Sequence, residues 1–218
     1  MQRGCKEMLM RIAIIGTGSV GAALARGLKG KRHGVTLGAR DPASARVRAL
    51  ADETASAVAS PSDAAAAADL VILALPWNAV EAAVAELGEL SGKIVIDCTN
   101  PLGMVDGAFG LTLGHTASGG EAVQRWLPKA RVVKTLNQVG AEIMAQNAGL
   151  PHRPAMLMAG NDAAAKTLVA GLLRDLGFDP LDAGDITKSR LLEPFALVWI
   201  NQAIARGKGR DWAFAAIS

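Results

Sequence analysis

The sequence has little with which to build a disulfide framework, a membrane span or a metal site. Its 218 residues include two cysteines, Cys5 and Cys98, too few for a stapled scaffold and in keeping with a reducing compartment where thiols stay free. Uncharged apolar runs stop at about a dozen residues, as in Leu70–Val80 and Pro194–Ala205, short of the roughly 18 that a membrane helix requires. The opening MQRGCKEMLM carries charges and no long apolar core, so it is not a secretory signal. Residues 1–9 read as a loose extension, with the domain beginning at Met10. Charge of one sign is also missing: 23 basic and 20 acidic residues leave +3, too balanced for a nucleic-acid surface. His33, His115 and His152 lie in loops rich in glycine or proline without metal-ligand spacing, and His33 is expected to be exposed. The expectation is a cytoplasmic, soluble protein with neither membrane nor nucleic acid as partner, and with no metal.

What is present is a half-hydrophobic chain, long enough to hold its own core. Short apolar strands alternate with helical periodicities. Strands are expected at Ile12–Ile15, Val35–Gly38, Ala57–Ala59, Leu70–Leu75, Lys93–Asp97, Arg131–Leu136, Ala155–Ala159 and Phe178–Leu181. Helices are expected at Ser19–Lys29, from Asp41-Pro42 to Asp52, from Ser60, at Ala79–Leu87 under an Asn78 cap, at Glu121–Leu127, Gly140–Gln146, Asp162–Leu176 and Arg190–Arg206. Leu102–Gly120 reads as a long irregular stretch. This order demands crossovers and a doubly wound α/β fold with a mainly parallel sheet. Residues 10–184 would form the Rossmann NAD(P)-binding domain, and residues 185–218 a small C-terminal helical appendage.

Gly16-Thr17-Gly18-Ser19-Val20-Gly21 is G-x-G-x-x-G set between strand and helix. Gly16 permits the tight turn, Gly18 lets the backbone approach a pyrophosphate, and Gly21 brings helix and strand together. The phosphates would sit on the free N–H groups and positive dipole end of the helix. An NAD site usually ends the second strand with a carboxylate for the ribose 2′-hydroxyl. Here that strand ends Leu37-Gly38-Ala39-Arg40. Arg40 can bind a 2′-phosphate through two hydrogen bonds and stack on adenine, with Thr17 and Ser44 adding hydroxyls and Asp41 capping the next helix. NADP is the cofactor this pattern favours; a solvated Arg40 is the plainer alternative.

Two further segments end strands where doubly wound sheets bind ligands. Leu75-Pro76-Trp77 and Asn100-Pro101 would flank the nicotinamide, the prolines stiffening the loops. Trp77 either walls the pocket or packs, and Asn100 can bond a ribose hydroxyl or the carboxamide. No catalytic side-chain set stands out. Cys98 lacks a base partner and reads as a buried inert thiol. Lys29, Lys31 and Arg32 read as a solvated turn, and His115 could approach a substrate. Carbonyl reduction generally needs a proton donor, whereas hydride transfer to a flavin-like ring asks the protein mainly to align the rings.

The chain resembles the NADPH-dependent reductases of the deazaflavin coenzyme F420 and their broader F420-dependent NADP oxidoreductase relatives. The carriers are Ile14-Ile-Gly-Thr-Gly-Ser-Val-Gly21, Gly38-Ala-Arg40, Leu73-Ala-Leu-Pro-Trp77 and Ile96-Asp-Cys-Thr-Asn-Pro-Leu102. More specific are Val133-Lys-Thr-Leu-Asn-Gln-Val139, Ala159-Gly-Asn-Asp162, Leu181-Asp-Ala-Gly184 and Ser189-Arg-Leu-Leu-Glu193. The resemblance implies one Rossmann domain, NADP bound at Thr17–Val20 and near Arg40, and a homodimer. It further implies a deazaflavin or flavin acceptor against the nicotinamide, under C-terminal segments, with Asn137 in the loop facing that cleft. Ala39 stands where a hydroxyl residue often precedes the arginine, and Ser44 where a second basic residue can occur.

The expected function is NADP(H)-dependent hydride transfer to a small flavin-like acceptor. An imine or carbonyl reductase and a non-enzymatic NADP-binding redox sensor are the alternatives. The final helix, with Leu191, Leu192, Phe195, Leu197, Val198, Trp199 and Ile200, is apolar over most of its surface. It must be buried in the core or against a second subunit.

Overall fold

Alternate residues of each central strand feed two separate cores, one on each face of the sheet. In a computed structural model that describes residues 10–217, Ile12, Ile14, Leu70, Ile72, Ile94 and Ile96 point to one core. Ala13, Ile15, Val71, Leu73 and Val95 point to the other. The strands are β1 (Arg11–Ile15), β2 (Gly34–Gly38), β3 (Ala57–Ala59), β4 (Leu70–Leu73) and β5 (Ile94–Asp97), then β6 (Leu102–Val105) and β7 (Ala108–Leu111). They continue with β8 (Arg131–Lys134), β9 (Ala155–Gly160) and β10 (Asp179–Gly184). Eight of them make one sheet in the order β10-β9-β8-β5-β4-β1-β2-β3. The part from β3 to β8 has the strand order of a Rossmann fold.

Helices cover both faces: α1 (Ser19–Leu28), α2 (Ala45–Thr54), α3 (Pro61–Ala67), α4 (Trp77–Glu86), α5 (Gly119–Trp126), α6 (Ala141–Ala145), α7 (Ala163–Asp175) and α8 (Ser189–Ile200). Residues of α1, α2, α6 and α7 fill the first core, and residues of α3, α4 and α5 the second. Within the eight-stranded sheet, strand pairs are parallel except β8–β9. The connection between those two holds only the five-residue α6, without the crossover helix that parallel pairing uses. Among the described residues, no helix is long and apolar enough to cross a membrane. The expected extension at residues 1–9 lies outside the described residues.

Several boundaries differ from expectation for local reasons. Leu102–Gly120 is not irregular throughout: β6 and β7 form an antiparallel hairpin. Its turn, Asp106-Gly107, is left-handed at both residues, with φ +49° and +81°, as a type I′ turn requires. Helix α2 starts at Ala45, with the Ser44 hydroxyl accepting from Val47 N–H, while Asp41 instead accepts from Ala43 N–H in a turn of its own. Asn78 is not a cap; α4 begins one residue earlier, behind Pro76, and Asn78 lies in its first turn. His33 is not exposed: its ring is 5% accessible and Nε2 stands 3.0 Å from Asp175 Oδ2.

The C-terminal helix also divides. A 3-10 turn at Ile186–Lys188 leads into α8, which runs through Pro194 and loosens into a π turn at Asn201–Ala205. Leu192, Ala196, Trp199 and Ala203 form its buried stripe. The chain then folds back. Trp199 Nε1 donates to Trp212 O, and Ala155 N–H donates to Phe214 O at the start of β9. Phe195, Phe214, Trp212 and Trp199 pack ring against ring with centroids 4.8–5.8 Å apart.

The cap assignment has a direct check. Ser44→Ala is expected to lower stability by about 1 kcal/mol in denaturant unfolding, and Asp41→Ala by clearly less. The reverse order would return the cap to Asp41.

Candidate functional site

The order of the sheet reverses between β1 and β4, and the loops after these strands meet there. Gly16, immediately after β1, has φ +103°. A Cβ on it would lie 2.4 Å from Ala74 O and 2.9 Å from a Leu75 methyl, so only glycine lets the two loops touch. A Cβ on Gly21 would lie 1.9 Å from Gly16 O, which makes that glycine the condition for α1 to start against β1. Gly18 is different: a Cβ there would meet no atom of the described residues within 4 Å.

The helix behind Gly18 is also unfinished. Its N-cap contributes no side-chain hydrogen bond and its first turn has no acidic residue. By contrast, Ser44, Ser60, Ser118 and Asp162 cap α2, α3, α5 and α7. The first N–H groups of a helix have no partner within it, so the start of α1, with exposed Gly18 and Ser19, is a cradle for an anion. The residues present fit the diphosphate of a dinucleotide.

Basic side chains stand beside this cradle. Arg40 is exposed at the end of β2. Arg46, not singled out from the sequence, reaches across from the first turn of α2, its Nη2 donating to Thr17 Oγ1 at 3.3 Å. Its signal was the position of the cap: with Ser44 as N-cap, residue 46 falls in the first turn beside the glycine loop. Ser44 spends its acceptor on the cap. Ala39 is buried, its N–H donating to Ala59 O, and offers only backbone.

On the other side of the switch point, Leu75 covers Gly16, and Pro76 is exposed ahead of α4. Trp77 stacks on Trp126 with centroids 5.6 Å apart and also borders the space where Gly119 approaches Pro101. Asn100 Nδ2 donates to Asn137 O at 2.8 Å, and Asn137 Nδ2 donates to Asn100 Oδ1 at 2.9 Å and to Leu192 O of α8 at 3.2 Å. Asn137 is buried, so it locks Asn100 and α8 together, and Asn100 is the more accessible of the two. The preceding Leu136 is buried with φ +57°, a strained conformation for a residue with a Cβ.

Beneath these loops lies a buried ion cluster that the sequence reading passed over. Lys134 Nζ stands 2.9 Å from Asp97 Oδ2, 2.5 Å from Thr99 O and 3.0 Å from Glu193 Oε1. Asp97 Oδ1 accepts from the Thr99 N–H and hydroxyl. Glu193 accepts from the Gly119 and Gly120 N–H groups at the start of α5. Burial pushes the Lys134 ammonium toward neutrality, but Asp97 and then Glu193 more than reverse this, leaving its pKa above the ordinary lysine value. The available signal was register: Asp97 and Lys134 end adjacent strands as direct partners. Burial pushes the Cys98 thiol well up, and Asp97 adds to it, which agrees with an inert role.

The remaining candidates lie apart. His115 is exposed at φ +53°, beside a groove of about 580 Å³ lined by Leu111, Lys188, Arg190, Leu191 and Pro194. A groove of about 510 Å³ beside Met10, His33 and Asp175 sits at the entry end of β1, away from the glycine loop. Among the described residues, no group of three His, Cys, Asp or Glu side chains is placed to hold a metal ion.

The glycine loop at the switch point, the open helix start and the flanking arginines define a dinucleotide-binding Rossmann domain. Residues 11–101 match the family described as NADP oxidoreductase, coenzyme F420-dependent. A crystal structure from Arthrobacter sp. FB24, provisionally described as an F420-dependent NADP-reductase, superposes with a TM-score of 0.86 at 39% identity, covering 96% of this chain and 100% of that one. The F420-dependent NADP reductase of Methanothermobacter thermautotrophicus is 28% identical over 210 residues, 90% of either chain. Metalloreductase STEAP3 of Rattus norvegicus is 27% identical over 86% of this chain, which spans only 36% of that longer protein. The chain belongs to the coenzyme F420-dependent NADP oxidoreductase family.

The contact between α5 and α8 carries a pH dependence. The Arg190 guanidinium, bonded to both Glu121 oxygens, holds the Glu121 carboxyl below the usual carboxylate range; partial burial opposes this and the Ser118 hydroxyl assists it. The stability this adds is fully present above the unfolded value of about 4.3 and lost as pH falls through the lower folded value. Denaturant unfolding across pH is expected to show wild type more stable than Glu121→Gln near neutrality, with the gap closing below about pH 4. A gap that persists unchanged into stronger acid would refute the assignment.

Proposed function

We propose that this protein is an NADP(H)-dependent oxidoreductase that passes hydride between nicotinamide and a flat, flavin-like ring of the F420 type. The observation that carries the reading is Gly18: the protein leaves space for a Cβ there, beside an uncapped helix start and two arginines. Family membership supports both the choice of NADP and a deazaflavin as the second substrate.

In this reading, the N–H groups from Gly18 to Gly21 hold the diphosphate. Arg40 and Arg46 hold the 2′-phosphate, aided by the hydroxyls of Thr17 and Ser44. Leu75, Pro76, Trp77, Asn100 and Pro101 border the nicotinamide, and Asn137 fixes Asn100. Bound NADPH supplies the hydride from its own ring. The chain's part is to hold the two rings at reacting distance and exclude water, with no side-chain nucleophile and no metal. Residues 10–184 serve as the cofactor domain and residues 185–218 roof the acceptor.

A cytoplasmic homodimer completes the reading. The support for a dimer is the apolar surface that stays exposed on α8 at Leu191 and Val198, on the π turn after it at Ile204, and on the hairpin at Met104 and Phe109.

The test is anaerobic NADPH oxidation with oxidised F420, run beside FMN, FAD and NADH controls. Turnover with F420 and NADPH is expected. Arg40→Ala and Arg46→Ala should each raise the NADPH KM by roughly 10- to 100-fold, the scale of a lost charge-assisted hydrogen bond, with little change for NADH. Saturable NADPH binding without turnover on any ring acceptor would discard the flavin-like substrate and favour the imine reductase or the sensor.

A further inference from the structure

Three chain segments border the acceptor side of the site, and all three are fastened to one buried ammonium. The loop after β5 is held because Lys134 Nζ donates to Thr99 O and pairs with Asp97. Helix α8 is held because Lys134 also pairs with Glu193. The start of α5, where the chain returns from the hairpin, is held because Glu193 accepts from Gly119 and Gly120. An ammonium has three N–H donors; here Asp97 and Thr99 O accept two of them, and Glu193 stands within ion-pair distance. The charges are one positive and two negative, and the residual negative charge faces the positive dipole end of α5.

The neighbouring sequence is shaped around this approach. A Cβ on Gly119 would lie 3.0 Å from Glu193 Oε1 and 3.1 Å from Trp77 Cζ3. One on Gly120 would lie 2.3 Å from Ser189 Oγ and 3.4 Å from Lys134 Cβ. Two successive glycines and a serine thus allow α8 to come close enough for Glu193 to reach the lysine. Apolar residues could join these elements at equal or lower free-energy cost, because desolvating ions is expensive. What an ion cluster adds is direction: each acceptor must stay within hydrogen-bond reach of one point.

We propose that Lys134 is the positioning residue of the acceptor cleft. By tying the Thr99–Pro101 loop, the start of α5 and α8 to a single atom, it fixes how far the roof stands above the cofactor side. The ring-to-ring distance of the proposed hydride transfer then depends on a residue that touches neither ring. This rests on the function proposed above for its catalytic consequence, but not for the mechanical linkage itself.

The test uses the full chain with Lys134→Met, Glu193→Gln, and Leu172→Ala as a cavity control in the opposite core. Lys134→Met and Glu193→Gln are expected to leave NADPH affinity within about twofold while kcat with F420 falls by about 10- to 100-fold, the scale of an ångström-sized misplacement. The isotope effect from 4-deuterated NADPH should rise as hydride transfer becomes limiting. Amide exchange should speed up at residues 97–100, 118–121 and 189–193, and not at the glycine loop. A loss of kcat no greater than in Leu172→Ala, with an unchanged isotope effect, would overturn the proposal as a purely structural role. If wild type turns over no ring acceptor, the functional reading fails and exchange alone decides the linkage: unchanged protection at the three segments overturns it. If Lys134→Met does not fold, Glu193→Gln, which keeps shape and removes charge, carries the same comparison.

Discussion

The Lys134 ammonium, closed off from water between Asp97, Thr99 O and Glu193, is the constraint on which the ligand-binding end of the molecule is assembled. It sits at the exit of two adjacent strands and takes the C-terminal helix as its third partner. Removing the lysine would leave two buried carboxylates without a counter-charge, which costs far more than the intact cluster contributes. The helix therefore behaves as a continuation of the strand ends of β5 and β8 rather than as an attached tail. Around it run supporting ties: Asn137 to Leu192 O, Arg190 to Glu121, and Trp199 over Gly140.

The cofactor end is built on different physics. There the sheet supplies a place where two loops diverge, and glycine geometry supplies the approach. Charge comes from residues that no carboxylate among the described residues neutralises directly, with Arg40 at a strand end and Arg46 in the first turn of α2. One half of the site is thus preorganised by a buried network in which a lysine offsets part of the carboxylate charge, while the other is left electrostatically open. In the proposed function, an anionic cofactor meets little resistance at the open half, and a planar acceptor needs the rigidity of the preorganised one.

The Rossmann framework was legible because its strands are apolar runs punctuated by glycine and proline, and alternation between two cores follows from the pleat. The glycine loop, Arg40 and the strand-end prolines were legible for the same reason: each is a local pattern. The hairpin was missed because Gly103 and Gly110 dilute its alternation, although Asp106-Gly107 is the turn signal itself. Arg46 was missed because the helix cap was placed at Asp41, three residues before the actual cap at Ser44. Lys134 and Glu193 lie 59 residues apart in the chain, and nothing local announces that a strand-end lysine and a helical glutamate will share one buried point. Their motifs could be matched to a family; their chemistry appeared only when the fold brought them together.

The three glycines of the loop answer to different masters. Gly16 and Gly21 are demanded by neighbouring backbone oxygens of the chain itself, whereas nothing among the described residues demands Gly18. Over evolutionary time, drift at the first two positions is therefore policed by folding, and drift at the third only by the cofactor. A descendant that abandoned its nucleotide could keep the whole architecture and record the loss at a single site. Position 18 is in that sense the place where a lineage's chemistry, as distinct from its shape, is written.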